Sequence, residues 1–259
     1  MKLSTLKLAI LGALLTPMTS VFAEEAPAEA ASEFSFSGNV GMYSDYIFRG
    51  YTQTKHMPAI QGGFDIEHSS GLYLGTWASN VKWTTEGGYM KDNDLEIDIY
   101  GGWAGDVGPV SLDAGFLQFI YPGENVNGGS EANATELYVG VSKDFGFANA
   151  GVSYNHVVST GAFGFDDMDG SGYTSLDVDA PLGDTPAVVS FHVGHQTFEG
   201  AGNDSWDYTD WKINLDYAIN GTYSVGAFYT DTDQDKAYWT YNSEYLGEAV
   251  GGVYLSAGF

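Results

Sequence analysis

The sequence predicts an all-β fold: a transmembrane, antiparallel, up-and-down β-barrel of twelve strands, with short periplasmic turns and long extracellular loops. Three observations predict it. The chain closes on GGVYLSAGF, where Val253, Leu255, Ala257 and Phe259 alternate with Gly252, Tyr254, Ser256 and Gly258. Such alternation up to a final aromatic is how the closing strand of an outer-membrane barrel reads. The connections between alternating segments also sort by length, short after each even-numbered segment and long after each odd-numbered one, as in barrels with turns on one side of the membrane and loops on the other. Within the segments, apolar residues keep one parity and charged residues the other, which a wall between lipid and a polar interior requires.

Taken in order, Lys2 and Lys7 accompany an apolar run from Leu8 to Leu15, and Val21 and Ala23 fit a cleavage pattern, so residues 1–23 read as a secretory signal peptide. The run is shorter than the ~18 apolar residues of a spanning helix. Residues 24–33, EEAPAEAASE, have no apolar periodicity and read as a disordered acidic periplasmic leader. The barrel domain occupies 34–259. Its strands are expected at 34–46, 58–67, 72–80, 94–104, 109–120, 135–143, 147–157, 172–180, 187–197, 209–218, 222–231 and 249–259. HSSG, PLGDTP and Ile219-Asn220-Gly221 supply tight-turn chemistry on the short side. The long connections are 47–57, 81–93, 121–134, 158–171, 198–208 and 232–248. An even strand number returns both ends of the barrel to the periplasm. A soluble sandwich or jelly roll would have no reason to sort its connections by length.

The lipid face is assigned to the apolar parity, for example Leu95, Ile97, Ile99 and Trp103, Leu137, Val139 and Val141, Val189, Phe191 and Val193, and Trp211, Ile213, Leu215 and Tyr217. The opposite parity carries Asp45, Asp65, Glu67, Asp94, Glu96, Asp98, Asp113, Glu136, Asp177, Asp179, Asp210 and Asp216, with Lys212 as its base. A base near the bilayer midplane costs roughly 2–4 kcal/mol and an acid less, so this segregation supports the register. Pairs such as Tyr223 and Tyr229 bracket an apolar middle, as interfacial girdles do.

Nine basic residues against 34 acidic ones give a formal charge of −25, which argues against nucleic acid or anionic lipid as a partner. The absence of cysteine removes disulfides and thiolate chemistry. No GxSxG elbow or other nucleophile motif is found, so no enzyme is expected. His192 and His195 look like a metal pair, yet three residues apart on a strand they face opposite ways. Asp167, Asp169 and Gly170 partly mimic a calcium loop, but Phe165 and Leu176 occupy its first and last carboxylate positions. No cofactor or metal is therefore expected.

SDYIFRGYTQT at 44–54, the following PAIQGGFDIEHSSGLYLGTWASNV and the terminal VYLSAGF resemble the TorF family of porins, a group of conserved hypothetical outer-membrane barrels of Gram-negative bacteria. The resemblance implies a barrel that passes small solutes. It supplies neither catalytic residues nor a defined substrate.

The function expected is a passive outer-membrane channel for small hydrophilic solutes, made cation-preferring by its acidic lumen. Arg49, the only arginine, lies with Lys55 in the first long loop, four residues beyond Asp45. It could pair with lumen acids as the basic side of a constriction, or as an anchor that holds the loop. Twelve strands lie between eight, which side chains can fill, and the 16–18 that leave an aqueous channel. Inward Tyr43, Tyr73, Trp77, Tyr100, Tyr138 and Phe228 could plug such a bore. The alternative is thus a non-conducting barrel acting as a receptor, adhesin or structural component through its acidic loops. The partners expected are outer-membrane lipid and lipopolysaccharide, small solutes, and the barrel-assembly machinery, with Val253, Leu255, Ala257 and Phe259 as its signal. A homo-oligomer is left open.

Overall fold

The computed structural model describes residues 32–126, 128–241 and 243–259. The expected signal peptide and nearly all of the leader lie outside them. The wall strands are β1 (Phe34–Tyr43), β2 (Ala59–His68), β3 (Leu72–Asn80), β4 (Leu95–Val107), β5 (Val110–Ile120), β6 (Ala134–Asp144), β7 (Asn149–Val157), β8 (Gly172–Pro181), β9 (Ala187–Thr197), β10 (Tyr208–Ala218), β11 (Tyr223–Thr232) and β12 (Val250–Gly258). Each pairs antiparallel with its neighbours in the chain, and β12 closes on β1 from Asn39↔Gly258 to Tyr43↔Tyr254. Closure leaves no unpaired edge, which is the condition for strands to cross hydrocarbon. Among the described residues no helix is long and apolar enough to span a membrane, a fact that leaves strands free to do so.

The expected sorting of connections is present. The turns are 69–71, 108–109, 145–148, 182–186 and 219–222; the loops are L1 (44–58), L2 (81–94), L3 (121–133), L4 (158–171), L5 (198–207) and L6 (233–249). The shortest turn shows why the sequence bends there. Gly108 takes φ +64 and Pro109 follows with its fixed negative φ, the residue order of a type II′ hairpin. The barrel therefore has a turn end and a loop end.

The faces follow the alternation. Val253, Leu255 and Phe259 are 62%, 46% and 77% exposed, and Leu137, Val139, Phe191, Trp211 and Tyr217 are likewise exposed on the outer face. The intervening residues turn into the bore, where Trp77, Tyr100, Tyr138 and Phe228 are buried. Many strand ends shift by one residue from expectation, β7 starts two residues late and β4 runs three residues further, to Val107; two shifts move predicted acids out of the wall. β1 stops at Tyr43 instead of 46, because Asp45 becomes the hub of L1; β4 starts at Leu95, leaving Asp94 in L2.

Candidate functional site

L1 does not lie over the rim; it folds into the bore. Two-residue strands, Ile47–Phe48 and Tyr51–Thr52, pair across Arg49 and Gly50, which take φ +44 and +84. Two successive residues at positive φ make the turn type that matches the twist of a tight hairpin, and glycine accepts the second at no steric cost. A Cβ at Gly50 would also run into the side chains of Asp210 and Thr232. The base of the hairpin is fixed by Asp45, whose carboxylate accepts from Thr52 Oγ1 (2.7 Å), Thr54 Oγ1 (2.9 Å) and His56 Nδ1 (2.7 Å). That bond raises the pKa of His56 above its ordinary 6.5 against the opposing effect of burial, helped by the fields of Asp45, Glu244 and Glu248.

At the tip, Arg49 donates to Glu136 (2.7 Å) and to Gln196 Oε1 (2.9 Å), and its guanidinium lies 4.7 Å and 4.3 Å from the ring centres of Phe48 and Tyr173. Charge, planarity and stacking are all used, which a lysine could not reproduce. Glu136 also accepts from Asn155 Nδ2 (3.0 Å), and Tyr46 of L1 donates to Glu96 (2.8 Å). Around the hairpin the wall acids are dry: Glu96 is 1% exposed, and Asp98 and Glu136 are 0%. Both carboxylate oxygens of Asp98 lack a hydrogen-bond partner among the described residues. Asp210 is buried too, accepting from Tyr173 (2.9 Å) and lying 3.3 Å from His192 Nε2.

Toward the turn end, tyrosines meet the acids and the bore is wetter. Tyr100 donates to Asp65 and Tyr73 to Asp113, both at 2.6 Å, and Tyr73 also contacts the hydroxyl of Tyr138. Asp216 accepts from Tyr254 and Asn214, and Tyr254 stacks on Tyr43 at 5.0 Å. Asp177 takes His192 Nδ1 (2.6 Å) and Ser175 (2.9 Å). With an acceptor beside each nitrogen, His192 suits the doubly protonated ring. Lys212, its register partner on β10, lies 4.9 Å from the centre of the Phe228 ring. Asp65, Asp177, Asp179 and Asp216 are half-buried, and Glu67 is exposed at the turn end; Asp113 is buried.

The predicted residues therefore separate into groups. Arg49 reaches the wall acids, whereas Lys55 stays at the outer rim and bridges Glu86 (3.0 Å) and Glu244 (3.4 Å). Asp94 also lies at the rim, bound to Lys82. Val253, Leu255 and Ala257 stand on the outer face of β12, and Phe259 exchanges backbone bonds with Gly38. His192 faces the bore while His195 is exposed on the outside beside Thr209, so they share no site. Among the described residues no group of His, Asp and Glu is arranged to hold a metal. Sequence reasoning missed Tyr46, Tyr173, His192 and Gln196 as contacts of L1 and the acids; strand parity pointed Tyr173, His192 and Gln196 inward but could not name their partners, and it put Tyr46 on the face opposite Asp45.

The chain belongs to the family described as "Bacterial protein of unknown function (Gcw_chp)", which matches residues 27–259. No curated protein matches it. Among solved structures it is similar to a KdgM porin at 6% identity and TM-score 0.55, covering 86% of this chain and 98% of that one. It is similar to the NanC porin at 10% identity and TM-score 0.55, covering 87% and 99%. A KdgM porin solved in complex with disordered oligogalacturonate matches at 6% identity and TM-score 0.51, covering 86% and 95%. At these identities the likeness is one of fold.

Proposed function

We propose that this member of the family is an outer-membrane channel for passive diffusion of small hydrophilic solutes, with its turns in the periplasm, its loops outside, and L1 as the barrier to flow. The observation that carries the reading is the bore itself: half-buried Asp65, Asp177, Asp179 and Asp216 line a closed barrel behind one inserted hairpin. Several carboxylates against the bases Lys212, His192 and Arg49 give a negative field that favours cations, strengthened by low-dielectric walls. The resemblance of 44–54 to TorF porins supports the same reading, and so does the fold shared with KdgM and NanC. The oligogalacturonate held by the KdgM complex is a polyanion, which this acidic bore would repel. Export by the signal peptide and insertion by the assembly machinery belong to the proposal, as do contacts with lipopolysaccharide; it needs no catalytic step.

The test is reversal potential in asymmetric KCl across a planar bilayer. The sign of cation preference is expected; anion preference would overturn the selectivity. A second reading, the non-conducting receptor, adhesin or structural barrel, is favoured by the dry layer of Glu96, Asp98 and Glu136 around L1. A variant with residues 45–54 replaced by a short Gly-Ser connection separates the two. Current is expected from it, and a folded but silent barrel would establish the second reading.

A further inference from the structure

Above the L1 tip the loops enclose a chamber of about 800 Å³, counting space open to solvent. Its floor is Phe48, Arg49 and Gln196, so it stands on the plug. Its walls come from separate loops: Trp83 and Tyr89 from L2, Phe163 and Phe165 from L4, Phe198 and Trp206 from L5, and Trp239 from L6. Single aromatic residues in surface loops need no explanation. Rings brought from four loops, joined by Tyr51 of L1 and Tyr208 of β10 around one space, form a concave, mostly apolar site of the kind that takes a small molecule.

The chemistry of the lining narrows the ligand. The cations are engaged: Arg49 by Glu136 below, and Lys55 by Glu86 and Glu244 at the mouth. An acidic solute would find no free base, whereas a quaternary ammonium would gain from the one carboxylate in excess at the mouth but carries no acceptor for the indole N–H donors of Trp83 and Trp239. The ligand is therefore neutral. The rings are inclined to one another, Trp206–Trp239 and Tyr208–Trp239 at 76° and Phe165–Trp206 at 82°, so they offer faces and edges together instead of a flat-sided slot for a planar heterocycle. A puckered ring with C–H groups on its faces and hydroxyls at its rim suits such walls, since the electron-rich aromatic face attracts the polarised C–H. The indole N–H groups of Trp83 and Trp239 point to the same class. Both are closed off from solvent and donate to no described residue, a costly state that a ligand hydroxyl would relieve once the neighbouring rings turn aside to admit it.

We propose that this chamber is a binding site for a neutral saccharide ring, stacked on its aromatic walls and hydrogen-bonded by Trp83 and Trp239. The site goes beyond the channel reading, because occupancy does not require that the bore conduct.

Isothermal titration calorimetry on the full barrel, folded in detergent, is the test, with glucose, cellobiose, galacturonate, choline and indole as probes. Saturable binding of glucose or cellobiose at millimolar concentration or tighter is expected, at least tenfold stronger than that of choline, indole or galacturonate. Trp83→Phe and Trp239→Phe keep a ring while removing the donor, and each is expected to weaken sugar binding threefold or more. Should one variant fail to fold, the other carries the test. Preference for choline, indole or galacturonate, no saturable heat with any probe, or sugar affinity unchanged in both folded variants would overturn the proposal. A planar-bilayer recording on the same preparation reports the channel independently, so a silent barrel that binds sugar removes only the channel.

Discussion

The two ends of the bore are built from the same strands and obey the same alternation, yet they hold their acids in different states. At the loop end Glu96, Asp98, Glu136 and Asp210 are buried under L1, and three of them are served by Tyr46, Arg49, Asn155 and Tyr173. At the turn end Asp65, Asp177, Asp179 and Asp216 remain half-buried, and two of them, Asp65 and Asp216, are braced by tyrosine hydroxyls from the wall. Inward parity alone therefore does not make a residue pore-lining. What decides is whether another group has replaced the water, L1 at the loop end and the wall tyrosine Tyr73 at Asp113. The comparison divides the labour of the proposed channel: the loop half sets whether ions pass, and the turn half sets which.

The strongest way to break this division is Arg49→Ala. Removing one partner of a buried pair leaves the other charge uncompensated, at a cost of about 3–5 kcal/mol. Here the stranded group is Glu136, and the cost falls on the docked position of L1 while the wall ladders stay intact. Single-channel recording is expected to show open probability rising roughly a hundredfold, saturating once L1 is mostly withdrawn. Unchanged current from a folded variant would mean that Arg49 does not hold the gate. Glu136→Gln, which keeps an acceptor, is expected to give a smaller rise in the same assay.

A second perturbation addresses the turn half. The triple substitution Asp177→Asn, Asp179→Asn, Asp216→Asn removes three wetter carboxylates without touching L1. Unit charges about 4 Å from a passing ion in a high-dielectric bore act with about 1 kcal/mol each, and salt screening with their spread along the bore leaves about 1.4 kcal/mol of the sum, so the cation-to-anion permeability ratio is expected to fall roughly tenfold. Open probability should stay near that of the parent. If the triple variant altered gating and left selectivity alone, the division between the halves would be reversed.

How far the sequence could anticipate this depends on the range of the interaction. In β4, Leu95, Glu96, Ile97, Asp98 and Ile99 declare their faces by local alternation, and the structure keeps those faces. That Glu96 and Asp98 are dry depends on L1, about 50 residues earlier, and no periodicity encodes it. Arg49 was legible as a singular charge close to Asp45, but Glu136 stands 87 residues away and only barrel closure brings them together. The end of β1 was misplaced by three residues because Asp45 fits either a strand or a hub for Thr52, Thr54 and His56, and side-chain bonds that compete with a ladder leave little trace in composition. The aromatic chamber was hidden for a related reason: its rings sit in loops, where neither period applies.

The smallest expected effect lies at the base of the hairpin, and it tests whether L1 docks as one piece. His56 has a raised pKa when L1 is docked, mainly through its bond to Asp45. A group whose docked pKa exceeds its free value contributes stability that is complete below the free value, near 6.5, and is lost as pH rises through the docked one. L1 should therefore loosen as pH climbs past neutrality, and open probability should rise. Because His56 is only partly buried, the contribution is at most about 1 kcal/mol, or roughly fivefold. Other acids in the bore titrate as well, so the informative quantity is the difference between the parent and His56→Gln recorded over the same pH series. A parent curve steeper than the variant's on the alkaline side means that the base and tip of the hairpin move together. Coincident curves would confine the gate to the Arg49 tip, because loss of the Asp45 contact would then leave the tip seated.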